Sequence, residues 1–260
     1  VVEHRRGRLV EEFRMRAADG HFVWFVLRAR PVVGSTGEVV RLVGTLTDIS
    51  EFKTAEERLL HDAVHDNLTG LPNRELFLDR LEAACLMAPA DDGRRPTVLV
   101  FDIDRFKQVN DSVGIAVGDS ILLTVARRLA RLLKPQDTLA RLNGDQFGII
   151  LVSERAPERI TAFAETLRRT IRAPIAFGER EIFLTGSIGI ALADGAQRPR
   201  EELLRDAALA AYHAKRLGGD RIEVFKPALR AHKSDRLAME SDLRRALERG
   251  EIAIVYQPVV

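Results

Sequence analysis

A chain of 260 residues has room for one to two domains and a sizeable core. Its composition, 46% hydrophobic and 30% charged, is that of an ordinary soluble globular protein. With 40 basic and 38 acidic side chains the formal charge is only +2, so bulk electrostatics point to neither nucleic acid nor a membrane surface as partner. The lone cysteine, Cys85, rules out an internal disulfide framework and is expected to be a small buried hydrophobe in an apolar helical stretch. No apolar run approaches the ~20 residues that span a bilayer, and the Arg- and Glu-rich start is unlike a signal peptide. Both point to a cytoplasmic location with no membrane segment in this chain, and leave open membrane segments in a longer parent protein.

Residues 9 to 49 alternate strand-like runs (Leu9 to Arg16, Phe22 to Arg30, Val39 to Thr47) with turn residues at Asp19-Gly20 and Gly34 to Gly37. Three strands are near the lower limit for independent stability. Ser50 to His65 reads as a helix capped by Ser50, with Phe52, Ala55, Leu59 and Ala63 on one apolar stripe. Such a helix either packs on its own domain or pairs with a second copy and transmits a signal.

Helix and strand then alternate. Arg74 to Met87 is predicted helical, with Leu76, Phe77, Leu81 and Ala84 on one face, and Thr97 to Ile103 reads as a strand. Asp119 opens a helix whose apolar residues are Leu122, Val125, Leu129 and Leu132. A hairpin over 138–152 follows, then a helix (Pro157 to Ile171), a strand (Ile182 to Leu192), a helix (Arg200 to Leu217) and a strand (Arg221 to Phe225). Strands joined partly by helices and partly by a hairpin imply an α/β (α+β) fold, a mixed sheet with helices against it. From Ser234 a helical pattern (Leu237, Leu243, Leu247) leads through Gly250 into the run Ile252 to Val259.

Two acidic sites stand out. Asn143-Gly144 between apolar runs is a strong signal for a tight hairpin, and it places the carboxylate of Asp145 at an exposed tip. The buried strand Thr97 to Phe101 ends in Asp102-Ile103-Asp104, and alternation sends both carboxylates to one face and Ile103 to the other. Carboxylates converging from separate strand ends suit a hard cation such as Mg²⁺ carrying a nucleoside triphosphate.

Arg141 to Phe147 (RLNGDQF) resembles the signature of the GGDEF family, the diguanylate cyclases, with two of the five core letters changed. Asp66 to Arg74 with Phe77, Phe101 to Asp111, Gly118-Asp119, Ser187 to Ile190 and Tyr212 to Lys215 match further family motifs in order, covering about residues 60 to 226. The resemblance implies a palm-like sheet similar to nucleotidyl cyclases. Residues 9 to 49 resemble the C-terminal half of a PAS sensor domain, from which no ligand can be argued. Tyr256-Gln257-Pro258 after its apolar run is similar to the opening of an EAL phosphodiesterase domain. The implied organisation is PAS-like over 1–50, a linker helix over 51–66, GGDEF over 67–228 and a truncated EAL domain over 229–260.

What the resemblance implies for the site is specific. Asp102, the Ile103 carbonyl and Asp145 would hold Mg²⁺ (Mn²⁺ as an alternative) on the phosphates of GTP. Asp145 would also accept the proton of the attacking ribose hydroxyl. Asn110 and Asp119 would read the guanine edge, their bland roles being a turn Asn and a helix N-cap. Lys107 and Lys215 would contact phosphate in the reaction, and Phe106 and Gly144 would lie against the nucleotide. Lys134 and Asp137 stand at the family's inhibitory cyclic di-GMP site, where a lysine cannot make the bidentate contact of an arginine. Gln146 replaces a Glu that supports the metal, Asn143 a Gly, and Ile115 a usual His. The implied function is condensation of two GTP into cyclic di-GMP by a homodimer. The alternative is a catalytically impaired GTP-binding domain that regulates a downstream EAL phosphodiesterase.

Overall fold

The computed structural model describes residues 8–87, 95–154, 156–178, 180–193, 199–230, 245–246 and 249–251. The patterns at Leu237, Leu243 and Leu247 and the run Ile252 to Val259 lie outside the described residues. The chain divides into two compact units, Val1–Ala63 and Val64–Val260.

In the first unit β1 (Leu9–Arg16), β2 (Phe22–Val33) and β3 (Val39–Asp48) form an antiparallel meander in that order, with a register shift at Val32/Val33. Val26 and Ala29 are its buried apolar residues. Helix α1 (Ser50–Val64) follows. Its start differs from expectation. The Asp48 carboxylate accepts the Ser50 N–H at 2.8 Å, while the Ser50 hydroxyl accepts the Trp24 N–H at 3.0 Å. Asp48 therefore does the capping, and that bond holds its carboxyl below the ordinary range. No residue of α1 is buried, and Phe52 on the apolar stripe is 65% exposed.

The second unit is built on a mixed sheet in the order β10-β9-β4-β6-β5. At its centre lies β4 (Thr97–Ile103), fully buried and paired antiparallel with β6 (Gln146–Leu151) and β9 (Gly186–Leu192). The outer strands are β5 (Thr138–Asn143), antiparallel to β6, and β10 (Ile222–Val224), parallel to β9. Alternation along β4 separates two cores. Leu99, Phe101 and Ile103 pack with residues of α4 (Ile115–Ala130) and α5 (Pro157–Arg172), among them Val125, Leu129 and Leu167. Val98 and Val100 pack with Phe77 and Leu81 of α2 (Arg74–Met87) and with Ala207 and Ala211 of α6 (Arg200–Arg216). Burying each large apolar side chain contributes about 1.5–3 kcal/mol, so this doubly covered strand is a rigid base for whatever its end carries. Helix α6 approaches unusually closely, because a Cβ on Gly189 of β9 would stand 2.0 Å from the Ala207 carbonyl oxygen.

Several expectations need correction. Helix α2 buries Leu78 beside Phe77 and Leu81, whereas Leu76 is only half-buried. Cys85 is exposed, since the last turn of α2, with Leu86 and Met87, runs clear of the core. A helix that the sequence reading missed, α3 (Phe106–Val113), follows β4, and Gly114 separates it from α4. Helix α4 thus begins at Ile115, and Asp119 lies within it rather than capping it; Asn110 lies in α3 rather than in a turn. The run Ile182 to Leu192 is not one strand. Ile182 ends a small hairpin of β7 (Ile175–Phe177) and β8 (Arg180–Ile182), and β9 starts only at Gly186. The break falls where Thr185 turns its carbonyl to the Asp104 N–H, at 3.0 Å.

Candidate functional site

The hairpin tip and the end of β4 meet through backbone and side chains. Asn143, the last residue of β5, pairs with Gln146, the first of β6, so the turn proper is Gly144-Asp145, one residue later than the Asn-Gly reading implies. The Ile103 N–H donates to the Asp145 carbonyl at 3.3 Å, which fixes the tip beside β4. Because Asp102 has the same parity as Val98 and Val100, its side chain emerges on the face covered by α6. There it is 5% exposed.

Two side chains bond Asp102. The Lys215 ammonium, from the last turn of α6, donates to Asp102 Oδ1 and stands 3.6 Å from Asp145 Oδ2. The Gln146 amide donates to Asp102 Oδ2 at 2.6 Å. Burial pushes the Asp102 carboxyl above the usual carboxylate range, against the opposing pull of Lys215 and Gln146 and with some help from Asp145. Lys215 is thus shared between the carboxylates of Asp102 and Asp145. One ammonium between two carboxylates occupies a place that a hard cation can take over, and the oxygens are of the kind Mg²⁺ prefers. Among the described residues no group of three His, Cys, Asp or Glu gathers to hold a metal, so any further ligands must be backbone carbonyls, substrate or water.

A second cluster lies where α3 faces α4. Asn110 Oδ1 is buried without a hydrogen-bond partner, and a Cβ at Gly118 would stand 1.8 Å from it. An unpaired buried acceptor costs about 1–3 kcal/mol unless a ligand donor meets it. Asp119, half-buried, follows Gly118 on α4. Of the other expected residues, the Phe106 ring is buried in the core beneath α3, and Gly144 leaves open space around it. Lys107 is exposed on α3 and makes no ion pair among the described residues. Ile115 is exposed at the start of α4.

The Lys134–Asp137 turn is internally satisfied. Asp137 accepts the N–H groups of Lys134, Val152 and Ser153 and the Ser153 hydroxyl, all between 2.7 and 3.1 Å. The Lys134 ammonium is taken by Glu154 at 2.7 Å.

One arrangement was not legible in the sequence. Arg141 donates to both oxygens of Asp66, at 3.0 and 3.1 Å, and to the Gly144 carbonyl at 2.9 Å. Asp66 also accepts the Thr69 N–H and hydroxyl, at 2.8 and 2.6 Å. The hairpin tip is thus braced from the turn that follows α1. Asp66 and Arg141 each fall inside a family-like motif, but nothing in their spacing pairs them.

Comparison with known proteins is consistent throughout. The family model described as "Diguanylate cyclase, GGDEF domain" matches residues 63–221. The bifunctional diguanylate cyclase/cyclic di-GMP phosphodiesterase MucR of Pseudomonas aeruginosa is 43% identical over 206 residues, 79% of this chain and 30% of MucR. The cyclic di-GMP phosphodiesterase PdeR of Escherichia coli is 34% identical over 227 residues, 87% of this chain and 34% of PdeR. The chain spans about a third of the length of these relatives. Among solved structures, the GGDEF domain of TpbB (YfiN) from Pseudomonas aeruginosa superposes with a TM-score of 0.61 at 33% identity, covering 65% of this chain and 99% of that one. The coiled coil and GGDEF domain of DgcB from Caulobacter crescentus, in complex with c-di-GMP, gives 0.60 at 28% identity, covering 68% and 93%.

Proposed function

This chain belongs to the GGDEF family of diguanylate cyclase domains, and on that premise we propose that it binds Mg-GTP and, as a dimer of two half-sites, condenses two GTP into cyclic di-GMP and two pyrophosphates. The observation that carries this reading is the cluster in which Asp102 and Asp145, from a strand end and a hairpin tip, share the one ammonium of Lys215. Asp102, Asp145 and the Ile103 carbonyl would hold Mg²⁺ or Mn²⁺, which supplies charge neutralisation to the triphosphate when bound. Lys215 and Lys107 contact phosphate, and Gly144 lets the backbone approach the nucleotide. Phe106 supports this side from the core. Asn110 Oδ1 accepts a guanine N–H and Asp119 takes the base's remaining donors, which discriminates against adenine. Asp145 accepts the proton of the ribose 3′-hydroxyl as that oxygen attacks the α-phosphate of the other GTP and pyrophosphate leaves.

In the longer protein, residues 1–50 serve as the end of a PAS sensor and 51–66 as a helix that pairs with its copy through the exposed Phe52 and Leu59. Residues 67–228 form the output domain, and 229–260 lead into an EAL domain. One observation favours a second reading, an impaired GTP-binding domain that regulates that EAL phosphodiesterase. The Gln146 amide donates to Asp102 where the family's Glu would add a negative charge. Incubation of the purified chain with GTP and Mg²⁺ separates the two. Appearance of cyclic di-GMP supports the cyclase, whereas tight GTP binding without product supports the regulator.

A further inference from the structure

Asp102 and Asp104 leave the end of β4 on the same face, yet their surroundings differ. Asp104 is held by protein donors on both oxygens. Its Oδ1 accepts the Ser187 hydroxyl at 2.7 Å, and its Oδ2 accepts the Thr185 hydroxyl and the Asp220 N–H, both at 2.8 Å. The Asp220 contact reaches the loop that ends α6. That loop is conformationally demanding, with Gly218, Gly219 and Asp220 all in the left-handed half of φ at 110°, 77° and 50°. A non-glycine residue at φ of 50° is uncommon and persists only where its surroundings fix it. Here they do so on both sides. Asp104 takes the Asp220 N–H, while Arg168 and Arg172 of α5 bind the Asp220 carboxylate. The loop is also fitted tightly over Asp104, since a Cβ at Gly219 would lie 2.9 Å from the Asp104 carboxyl carbon.

This loop is joined directly to Lys215. The Gly218 N–H donates to the Lys215 carbonyl at 3.2 Å, and the Gly219 N–H to the Ala214 carbonyl at 3.1 Å. Two carboxylates of one strand end therefore grip the end of α6 at two points. Asp102 takes the Lys215 ammonium, and Asp104 takes the loop that closes the turn carrying Lys215. We infer that Asp104 is a positioning residue: by anchoring the Gly218–Asp220 loop it sets where the Lys215 ammonium stands between Asp102 and Asp145. That this ammonium serves phosphate rests on the function proposed above; the two-point grip does not.

The test reads Lys215 directly, in ligand-free protein. Trace acetylation with acetic anhydride, followed by peptide mass spectrometry, gives the reactivity of each lysine, with exposed Lys107 as the internal reference. Two variants loosen the anchor from opposite sides. Asp104→Asn weakens its acceptors, and Gly219→Ala crowds the carboxylate at a φ that alanine resists. Each is expected to raise Lys215 reactivity about tenfold, the scale on which a charge-assisted hydrogen bond acts, with Lys107 unchanged and a cooperative melt retained. A calorimetric arm measures GTP affinity in a double-mutant cycle. Lys215→Ala should weaken GTP about tenfold, and Asp104→Asn should weaken wild type but add less than about twofold in the Lys215→Ala background. Unchanged Lys215 reactivity in the folded variants overturns the inference, as does an Asp104→Asn effect on GTP that is equal with and without Lys215. Loss of fold in both variants also overturns it, since Asp104 would then be acting on the whole domain. If wild type binds no GTP, the proposed function fails while the acetylation result still decides the role of Asp104.

Discussion

Two carboxylates flank the hairpin tip that carries Asp145, and they sit in opposite electrostatic conditions. Burial would push the Asp66 carboxyl upward, but the Thr69 hydroxyl and N–H and the Arg141 guanidinium outweigh it and hold the group below the ordinary range. At Asp102 burial wins, in spite of Lys215 and Gln146, and the carboxyl is held above the ordinary range. Asp66 is matched to donors within its own fold and braces the tip through Arg141 and the Gly144 carbonyl. Asp102 shares its ammonium, Lys215, with the part-exposed carboxylate of Asp145. A saturated carboxylate builds structure, and one that shares its partner recruits a ligand.

The severest way to break this contrast is at the tip. On the mechanism proposed above, Asp145→Asn removes a cation ligand and the proton acceptor together and should lower cyclase turnover by about 10³-fold or more. Its melting temperature should stay close to wild type, because among the described residues the Asp145 side chain pairs only with the shared Lys215. Steady-state assays at saturating GTP and Mg²⁺ check the first point, and a thermal melt the second. Next in size is Gln146→Glu, which exchanges the amide donor for a carboxylate beside Asp102. Turnover should rise about 10–100-fold, as for other groups that support a metal, and calorimetry should show tighter Mg²⁺-dependent GTP binding. A wild type as fast as this variant would show that the Gln146–Asp102 hydrogen bond is no handicap.

On the Asp66 side the effects should fall on stability. Asp66→Asn weakens hydrogen bonds from Thr69 and Arg141 and should cost about 1.5–3 kcal/mol, the usual range for bonds to a charged group. The pH dependence has a definite sign. With its folded pKa depressed, Asp66 contributes stability that is complete above the unfolded carboxylate pKa and is lost as pH falls through the folded one. Asp102, with its folded pKa raised, contributes stability that is present below the unfolded pKa and is lost as pH rises through the folded one. Denaturant melts from pH 3 to 8 should therefore show the Asp66→Asn deficit shrinking toward acid. An Asp66→Asn deficit that is flat across this range would contradict the contrast.

Legibility followed the same division. The bounds of β4 and α2 were readable because a buried apolar run and a periodic helix are local signals. The convergence of Asp102 and Asp145 was readable from alternation together with the hairpin. What was missed depends on contacts remote in sequence. Residues 182 to 192 keep an apolar pattern, yet the strand is broken by Asp104 drawing in Thr185. Cys85 sits in an apolar stretch, yet nothing in periodicity says that α2 outruns the core by a turn. The brace from Asp66 to Gly144 spans 75 residues between Asp66 and Arg141, beyond any spacing argument.

The smallest expected effect concerns the Lys134–Asp137 turn, a saturated carboxylate like Asp66. At first sight Lys134→Arg should restore a bidentate site for cyclic di-GMP. The structure argues otherwise. Asp137 already accepts from three backbone N–H groups and the Ser153 hydroxyl, so it has no lone pair to offer a guanine edge without breaking the turn. A new arginine would find the Glu154 carboxylate, which Lys134 holds below its ordinary pKa, before it found a ligand. Lys134→Arg should therefore change cyclic di-GMP affinity by less than about threefold, within the range of an exposed ion-pair exchange. Adding Glu154→Gln frees the guanidinium and should give the larger gain. Calorimetry on the single and double variants decides between them: strong tightening from Lys134→Arg alone would mean that Asp137 gives up its internal bonds readily, and saturation would then be a poor guide to which carboxylates of this protein are structural.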